Sequence, residues 1–209
     1  VLDDGTASIK KYIDNGSKTV DIPSTIDGYK VTEIGLSAFE GCTGLKSVTI
    51  PNSVTEIGYC AFYGCTGLKS VIIPNSVTYI GYGVFRGCTG LTNVTIPNSV
   101  TNISLPTHTF WGCTSLNNIT VDKNNKNYTS VDGVLFNKNK TEILIYPSAK
   151  GLSSYVIPSS VTEIDMCAFK GCTGLKSVTI PSSVKEIGDS AFSDCTGLTH
   201  VKFEKSSNI

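Results

Sequence analysis

The chain has 209 residues, and its 17 acidic side chains balance its 17 basic ones. Zero net charge leaves no field to draw in nucleic acid or an anionic membrane surface, and every base except Arg86 is a lysine. No stretch approaches the roughly 18 consecutive apolar residues of a membrane span, and the opening Val1-Leu2-Asp3-Asp4-Gly5 lacks a signal-peptide pattern, so direct membrane insertion is not expected.

Residues 1–19 read as an N-terminal capping region, with Ala7-Ser8-Ile9-Lys10-Lys11-Tyr12-Ile13 as its strand. Val20, Ile22 and Pro23 begin a degenerate first unit. One phrase then recurs: Ile34, Ile57 and Ile80 stand 23 residues apart, and so do Phe39, Phe62 and Phe85. A fixed period in the twenties signals a small unit stacked on itself, because one such unit cannot bury its apolar face alone. Within each unit, Leu45-Lys46-Ser47-Val48-Thr49-Ile50 and its copies from Leu68, Leu91, Leu116, Leu175 and Leu198 alternate as a half-buried strand does. Pro51, Pro74, Pro97, Pro158 and Pro181 end that strand, since proline cannot donate to a ladder. The apolar pairs Val54 and Ile57, Val77 and Ile80, Val100 and Ile103, Val161 and Ile164, and Val184 and Ile187 predict a short extended segment on an opposite wall. Gly58, Gly81 and Gly188 are expected to permit the turn that follows. The Ala-Phe-x-Gly-Cys stretch is long enough for one helical or 3₁₀ turn. Its phenylalanines, Phe39, Phe62, Phe85, Phe110, Phe169 and Phe192, are expected to form an internal aromatic spine.

Two places break the period. Ser104 to Thr109 is longer than the matching segment of other units and predicts a bulging loop with Pro106 and His108. Between Leu116 and Leu152 the spacing is 36 residues, yet Leu152, Tyr155, Ile157 and Pro158 restore the strand phrase. Residues 122–157 therefore read as an irregular repeat carrying an insertion. Val134-Leu135-Phe136 and Ile143-Leu144-Ile145-Tyr146 predict a β-hairpin that projects from, or drapes over, one edge. Repeats resume at 158–209. Rungs are expected to end at Ile22, Ile50, Ile73, Ile96, Val121, Ile157, Ile180 and Phe203, giving a stack on the order of 35–40 Å long at about 4.8 Å per rung. No polar cap follows Val201-Lys202-Phe203, so the natural protein is expected to continue beyond Ile209.

Six of the eight cysteines, Cys42, Cys65, Cys88, Cys113, Cys172 and Cys195, fill one repeat position. Side chains stacked this way run parallel, which opposes bridging, so buried free thiols acting as small apolar fillers are expected. Cys60 and Cys167 are additional, and a redox pair or soft-metal site with Cys65 or Cys172 is the alternative. No histidine or acid recurs beside them, which argues against zinc. The two histidines, His108 and His200, have no nucleophile or partner at a diagnostic spacing, and no Gly-x-Ser-x-Gly elbow or phosphate-cradling loop is present. No catalytic residue, metal site or cofactor is expected.

Binding surfaces are better candidates. The strand face presents Lys46, Lys69, Asn93 and Asn118 among small polar residues. A sheet face solvated by threonines explains them equally well. Tyr59, Tyr63, Tyr79, Tyr82 and Trp111, with Arg86, occupy repeat positions that hold other residue types in other units. Packing does not demand rings there, and such side chains are enriched in interface hot spots. The alternative is that they pad neighbouring rungs or the insertion.

The phrase Ile-Pro-x-Ser-Val-Thr-x-Ile-Gly-x-x-Ala-Phe-x-Gly-Cys-Thr-Gly-Leu resembles the BspA-type leucine-rich repeat family over residues 20–203, most closely at 50–68 and 180–198. Asp132-Gly133-Val134-Leu135-Phe136 with Ile145-Tyr146-Pro147 looks like a variant rung of that family. The expected fold is a mostly β solenoid of the α/β class, a leucine-rich-repeat right-handed coil of about eight rungs with one hairpin insertion. The resemblance implies a secreted or cell-surface, non-enzymatic adhesion or recognition module whose partner is a host or neighbouring-cell protein. A carbohydrate-binding ectodomain and a structural spacer are the alternatives.

Overall fold

The computed structural model describes residues 1–205; the expectation attached to the chain end, 206–209, lies outside them. The chain winds as a mostly β solenoid of about nine turns, in which like positions of successive repeats meet. On the first wall, Thr19–Asp21, Ser47–Thr49, Ser70–Ile72, Asn93–Ile96 and Asn118–Val121 pair in parallel, each one rung above the last. On the second wall, Ala7–Ile9, Tyr29–Ile34, Glu56–Ile57, Tyr79–Ile80 and Asn102–Ile103 do the same. The capping strand is thus a partial turn of the coil, and its Tyr12 stacks on Phe39 with ring centroids 5.1 Å apart.

A third wall is made by the Ala-Phe-x-Gly-Cys segments. They form consecutive tight turns rather than a helix: Ala38, Glu40 and Cys42 donate their amides to Gly35, Ser37 and Phe39 carbonyls in turn. The phenylalanines enter the middle of the coil as expected. Phe39–Phe62, Phe62–Phe85 and Phe85–Phe110 are stacked at 5.0, 5.8 and 5.7 Å. Thiols in the cysteine column do more than fill space. Cys65, Cys88 and Cys113 donate Sγ–H to the carbonyls of Phe39, Phe62 and Phe85 at 3.0, 3.1 and 3.1 Å, joining each rung to the previous spine residue.

Gly58, Gly81 and Gly188 are needed for a different reason from the one expected. None has a left-handed backbone. A Cβ on Gly58 would lie 2.9 Å from the Ile34 carbonyl oxygen, and one on Gly188 would lie 2.4 Å from the Met166 nitrogen. Rungs approach too closely there for any side chain. The left-handed backbone comes two positions later, at Ser37, Cys60, Cys167 and Ser190 with φ between 54° and 57° and at Gly83 with φ 66°.

The insertion also differs from its expectation. It neither projects nor drapes. Tyr128–Val131, Val134–Asn137 and Glu142–Ile145 form an antiparallel three-strand run, and the last of these pairs in parallel with Glu163–Ile164. The hairpin has become the second wall of its own rung. The physical reason is that Val134, Leu135 and Phe136 are apolar at every position, not at alternate ones, and all three are fully buried. Both sheets divide at this point, and the first wall restarts as Ser154–Val156, Ser177–Ile180 and His200–Phe203. The core divides as well, into one cluster that ends with Leu135, Leu144 and Ile145 and another that begins with Val134, Phe136 and Ile143. The spine restarts with Tyr146, stacked at 5.0 Å on Phe169, which stacks at 4.8 Å on Phe192. Backbone donors at the break are met by side chains: Ile103 donates to the Tyr128 hydroxyl and Val121 to Ser130 Oγ, both at 3.0 Å. The expected bulge before Phe110 is a single helical turn, Pro106–Thr109, which absorbs the extra residues and leaves Phe110 in the spine.

Candidate functional site

Two columns of variable residues run along the turn wall. The first follows from the register of the close-packed glycines. Gly58, Gly81 and Ser104 donate to Ile34, Ile57 and Ile80, so the residues after them, and Leu36 after Gly35, fall in line. Leu36, Tyr59, Tyr82 and Leu105 thus form one stripe across four rungs. Leu36, Tyr59 and Leu105 are 67%, 51% and 50% exposed, and Tyr82 is half-buried. The second column is Glu40, Tyr63, Arg86 and Trp111, fixed by the amides of Gly41, Gly64 and Gly87 donating to Tyr63, Arg86 and Trp111 carbonyls.

The columns join through ring contacts. Tyr82 stacks on His108 at 5.2 Å, and His108 meets Trp111 edge-on at 5.7 Å. The Arg86 guanidinium lies 4.1 Å from the Trp111 ring centroid and 5.7 Å from that of Tyr63. From beyond the insertion the Lys170 ammonium lies 4.0 Å from the same indole and 3.8 Å from Asp194. Both cations gain from the ring quadrupole. Burial, then the nearby Arg86 and Lys170 charges, hold the His108 pKa below its ordinary value, so the imidazole is neutral at pH 7. Tyr79, on the second wall, reaches Tyr59 at 6.4 Å. The five predicted aromatics and Arg86 are therefore one patch.

The other candidates lie elsewhere. Lys46, Lys69 and Asn93 are exposed on the first wall. Asn118 is half-buried there, with the insertion turn at Gly133 set against its side chain. The structure does not bring this group to the aromatic patch. His200 is exposed beside Thr199, whose hydroxyl lies 2.8 Å from its Nδ1. All eight cysteines are free; Cys60 and Cys167 are partly exposed, while burial pushes the Cys113 thiol up to about 12. Among the described residues no group of three or more His, Cys, Asp or Glu side chains could hold a metal ion. No helix is long and apolar enough to cross a membrane, again among the described residues.

Sequence reasoning missed Leu36, Leu105, Lys170 and Asp194. The signal for Lys170 was present: it follows Phe169 as Trp111 follows Phe110. In the sequence Lys170 is only another residue type in that slot, because the alignment does not say that the two rungs lie within reach of each other across the insertion.

A family model for the BspA type leucine rich repeat region, in six copies, matches residues 12–142 and 145–209. Among solved structures, a leucine-rich repeat protein from Eubacterium ventriosum is 25% identical, with a TM-score of 0.69 over 98% of this chain and 69% of that one. The pneumococcal vaccine antigen PcpA is 25% identical, with a TM-score of 0.63 over 93% of this chain and 63% of that one. A leucine-rich repeat protein from Bacteroides capillosus is 34% identical, with a TM-score of 0.53 over 58% of this chain and 91% of that one. No curated protein matches the chain.

Proposed function

We propose, since the chain belongs to the BspA-type leucine-rich repeat family, that it is a non-enzymatic recognition module, secreted or at the cell surface, that binds a protein partner through its turn wall. The observation that carries this reading is the stripe Leu36, Tyr59, Tyr82 and Leu105, exposed at all but the half-buried Tyr82, beside the Arg86–Trp111 column. A run of apolar side chains across four rungs stabilises nothing by lying open, and a row of exposed apolar groups rimmed by charge is a common mark of an interface. That a structural relative is a pneumococcal vaccine antigen supports a placement outside the cell for this chain too.

A pull-down from host matrix extract, comparing wild type with the triple variant Tyr59→Ala, Tyr82→Ala, Trp111→Ala, tests the reading. Loss of the captured protein with the circular dichroism spectrum unchanged is the expected result. Equal capture by a folded triple variant removes the turn wall from recognition.

A second reading, carbohydrate binding, has one observation in its favour: Tyr59 and Tyr63 are 51% and 37% exposed, open for a sugar face. Trp111 does not add to it, because Arg86 and Lys170 lie over its ring. A glycan array separates the two readings.

A further inference from the structure

Beside Trp111 the division of the stack leaves a cleft of about 280 Å³ between the turn of one rung and those beyond the insertion. Its apolar lining includes Phe110, Leu116, Ile145 and Ala168, and Lys170 and Asp194 stand among its polar residues. The size is at the lower edge of ligand pockets, suited to one large side chain rather than an extended molecule.

Two features give the cleft a preference for negative charge. The first is an open rung in the backbone ladder. Gly41, Gly64, Gly87 and Gly171 each donate an amide to a carbonyl of the next rung. Gly112 holds the same place at the cleft, and among the described residues no carbonyl receives its N–H. The second is the Lys170 ammonium, which lines the cleft and lies 4.0 Å from the Trp111 ring centroid. Among the described residues the one ion pair is Lys170 with Asp194, at 3.8 Å, and the Asp194 side chain is 71% exposed. A pair at that distance with one partner open to water is weak and exchangeable.

We infer that this cleft binds the C-terminal residue of a peptide chain when that residue is apolar, its side chain entering between Phe110 and Ile145 and its carboxylate taking the Gly112 amide and the Lys170 ammonium in place of Asp194. Capture of a chain-end carboxylate by unpaired backbone amides is an established recognition mode. Charge-assisted bonds of this kind favour the free acid over a neutral amide by about tenfold. The inference names the partner chemistry of the recognition patch and rests on that reading only for its biological setting.

The test uses acetyl-Ser-Gly-Leu-Phe with a free C-terminus and the same peptide amidated. Trp111 is the one tryptophan of the chain, so its fluorescence reports binding directly. The free acid is expected to change the emission saturably, about tenfold more tightly than the amide. Lys170→Gln should narrow the gap between acid and amide by weakening the acid alone. Asp194→Asn should tighten the acid and leave the amide unchanged. Thr173→Tyr, at an exposed lining position, should plug the cleft against both peptides without touching the core. Equal affinity of acid and amide, no binding by either, or binding indifferent to Thr173→Tyr overturns the inference. These outcomes are independent of the pull-down: a partner lost by the triple variant while neither peptide binds leaves the turn wall as the interface and rejects only the chain-end ligand.

Discussion

At the scale of single residues, the buried amide of Asn125 closes the backbone where the repeat is interrupted. Its Nδ2 donates to the Pro97 and Val100 carbonyls at 2.8 and 3.0 Å, and its Oδ1 accepts from the Asn127 and Tyr128 amides at 2.9 and 2.8 Å. Every hydrogen-bonding site of the side chain is in use, and the residue is fully buried. Asn125→Ala orphans the Val100 carbonyl and the Asn127 and Tyr128 amides at once, and leaves the Pro97 carbonyl only the 3.4 Å bond from the Val100 amide. With about 1–3 kcal/mol for a buried group left unsatisfied and partial rescue by water, a loss of roughly 3 kcal/mol is expected. Urea unfolding measures it, and a loss below about 1 kcal/mol means that water replaces the amide without difficulty. Sequence alone gave no hint of this role, because Asn125 has no counterpart in the other repeats.

At the scale of strands, parallel register places like residues side by side, which suits apolar columns and penalises charged ones. Glu142 pairs with Glu163, and Glu163 with Glu186. Burial first, then the Glu163 and Asp165 charges, raise the Glu142 pKa above its ordinary 4.5; burial does the same to Asp165. A carboxyl whose folded pKa is raised contributes stability that is fully present below its unfolded pKa and is lost as the pH rises through the folded one. At pH 7 this ladder therefore costs the fold. Glu142→Gln is expected to raise the urea midpoint at pH 7, with the gap from wild type closing as the pH falls toward 4.5. A variant less stable than wild type at pH 7 contradicts that sign. The strands themselves were legible, since their period and their closing prolines are both marks of chain geometry. The hairpin was legible as a hairpin but not in its place. A run of three apolar residues says that both faces are covered, but not by what.

At the scale of the molecule, the insertion separates two cores, and a solenoid transmits stability only through neighbouring rungs. Phe62→Ala and Phe169→Ala remove equivalent fully buried rings, each at an expected cost of about 3–5 kcal/mol. The losses should stay local. Native-state hydrogen exchange should show Phe169→Ala lowering protection after Tyr146 while the amides between Val31 and Ile103 stay protected, and Phe62→Ala doing the reverse. A uniform loss in either variant means that the break does not interrupt cooperativity. The aromatic patch was visible in the sequence as rings at variable positions. The stripe through Leu36 and Leu105 was not, because a leucine draws attention only once its exposure is known. Nor was the cleft, which exists because two turns fail to meet, and no letter of the sequence records a gap.

The cleft is made by the turns that flank the interruption, together with rungs within reach of Lys170 and Asp194. Copies of the plain repeat could be gained or lost at a distance, lengthening or shortening the rod, without disturbing a wall of that cleft. Length and cleft are in this sense modular: one is counted in duplicated units, while the other is fixed where the duplication is interrupted.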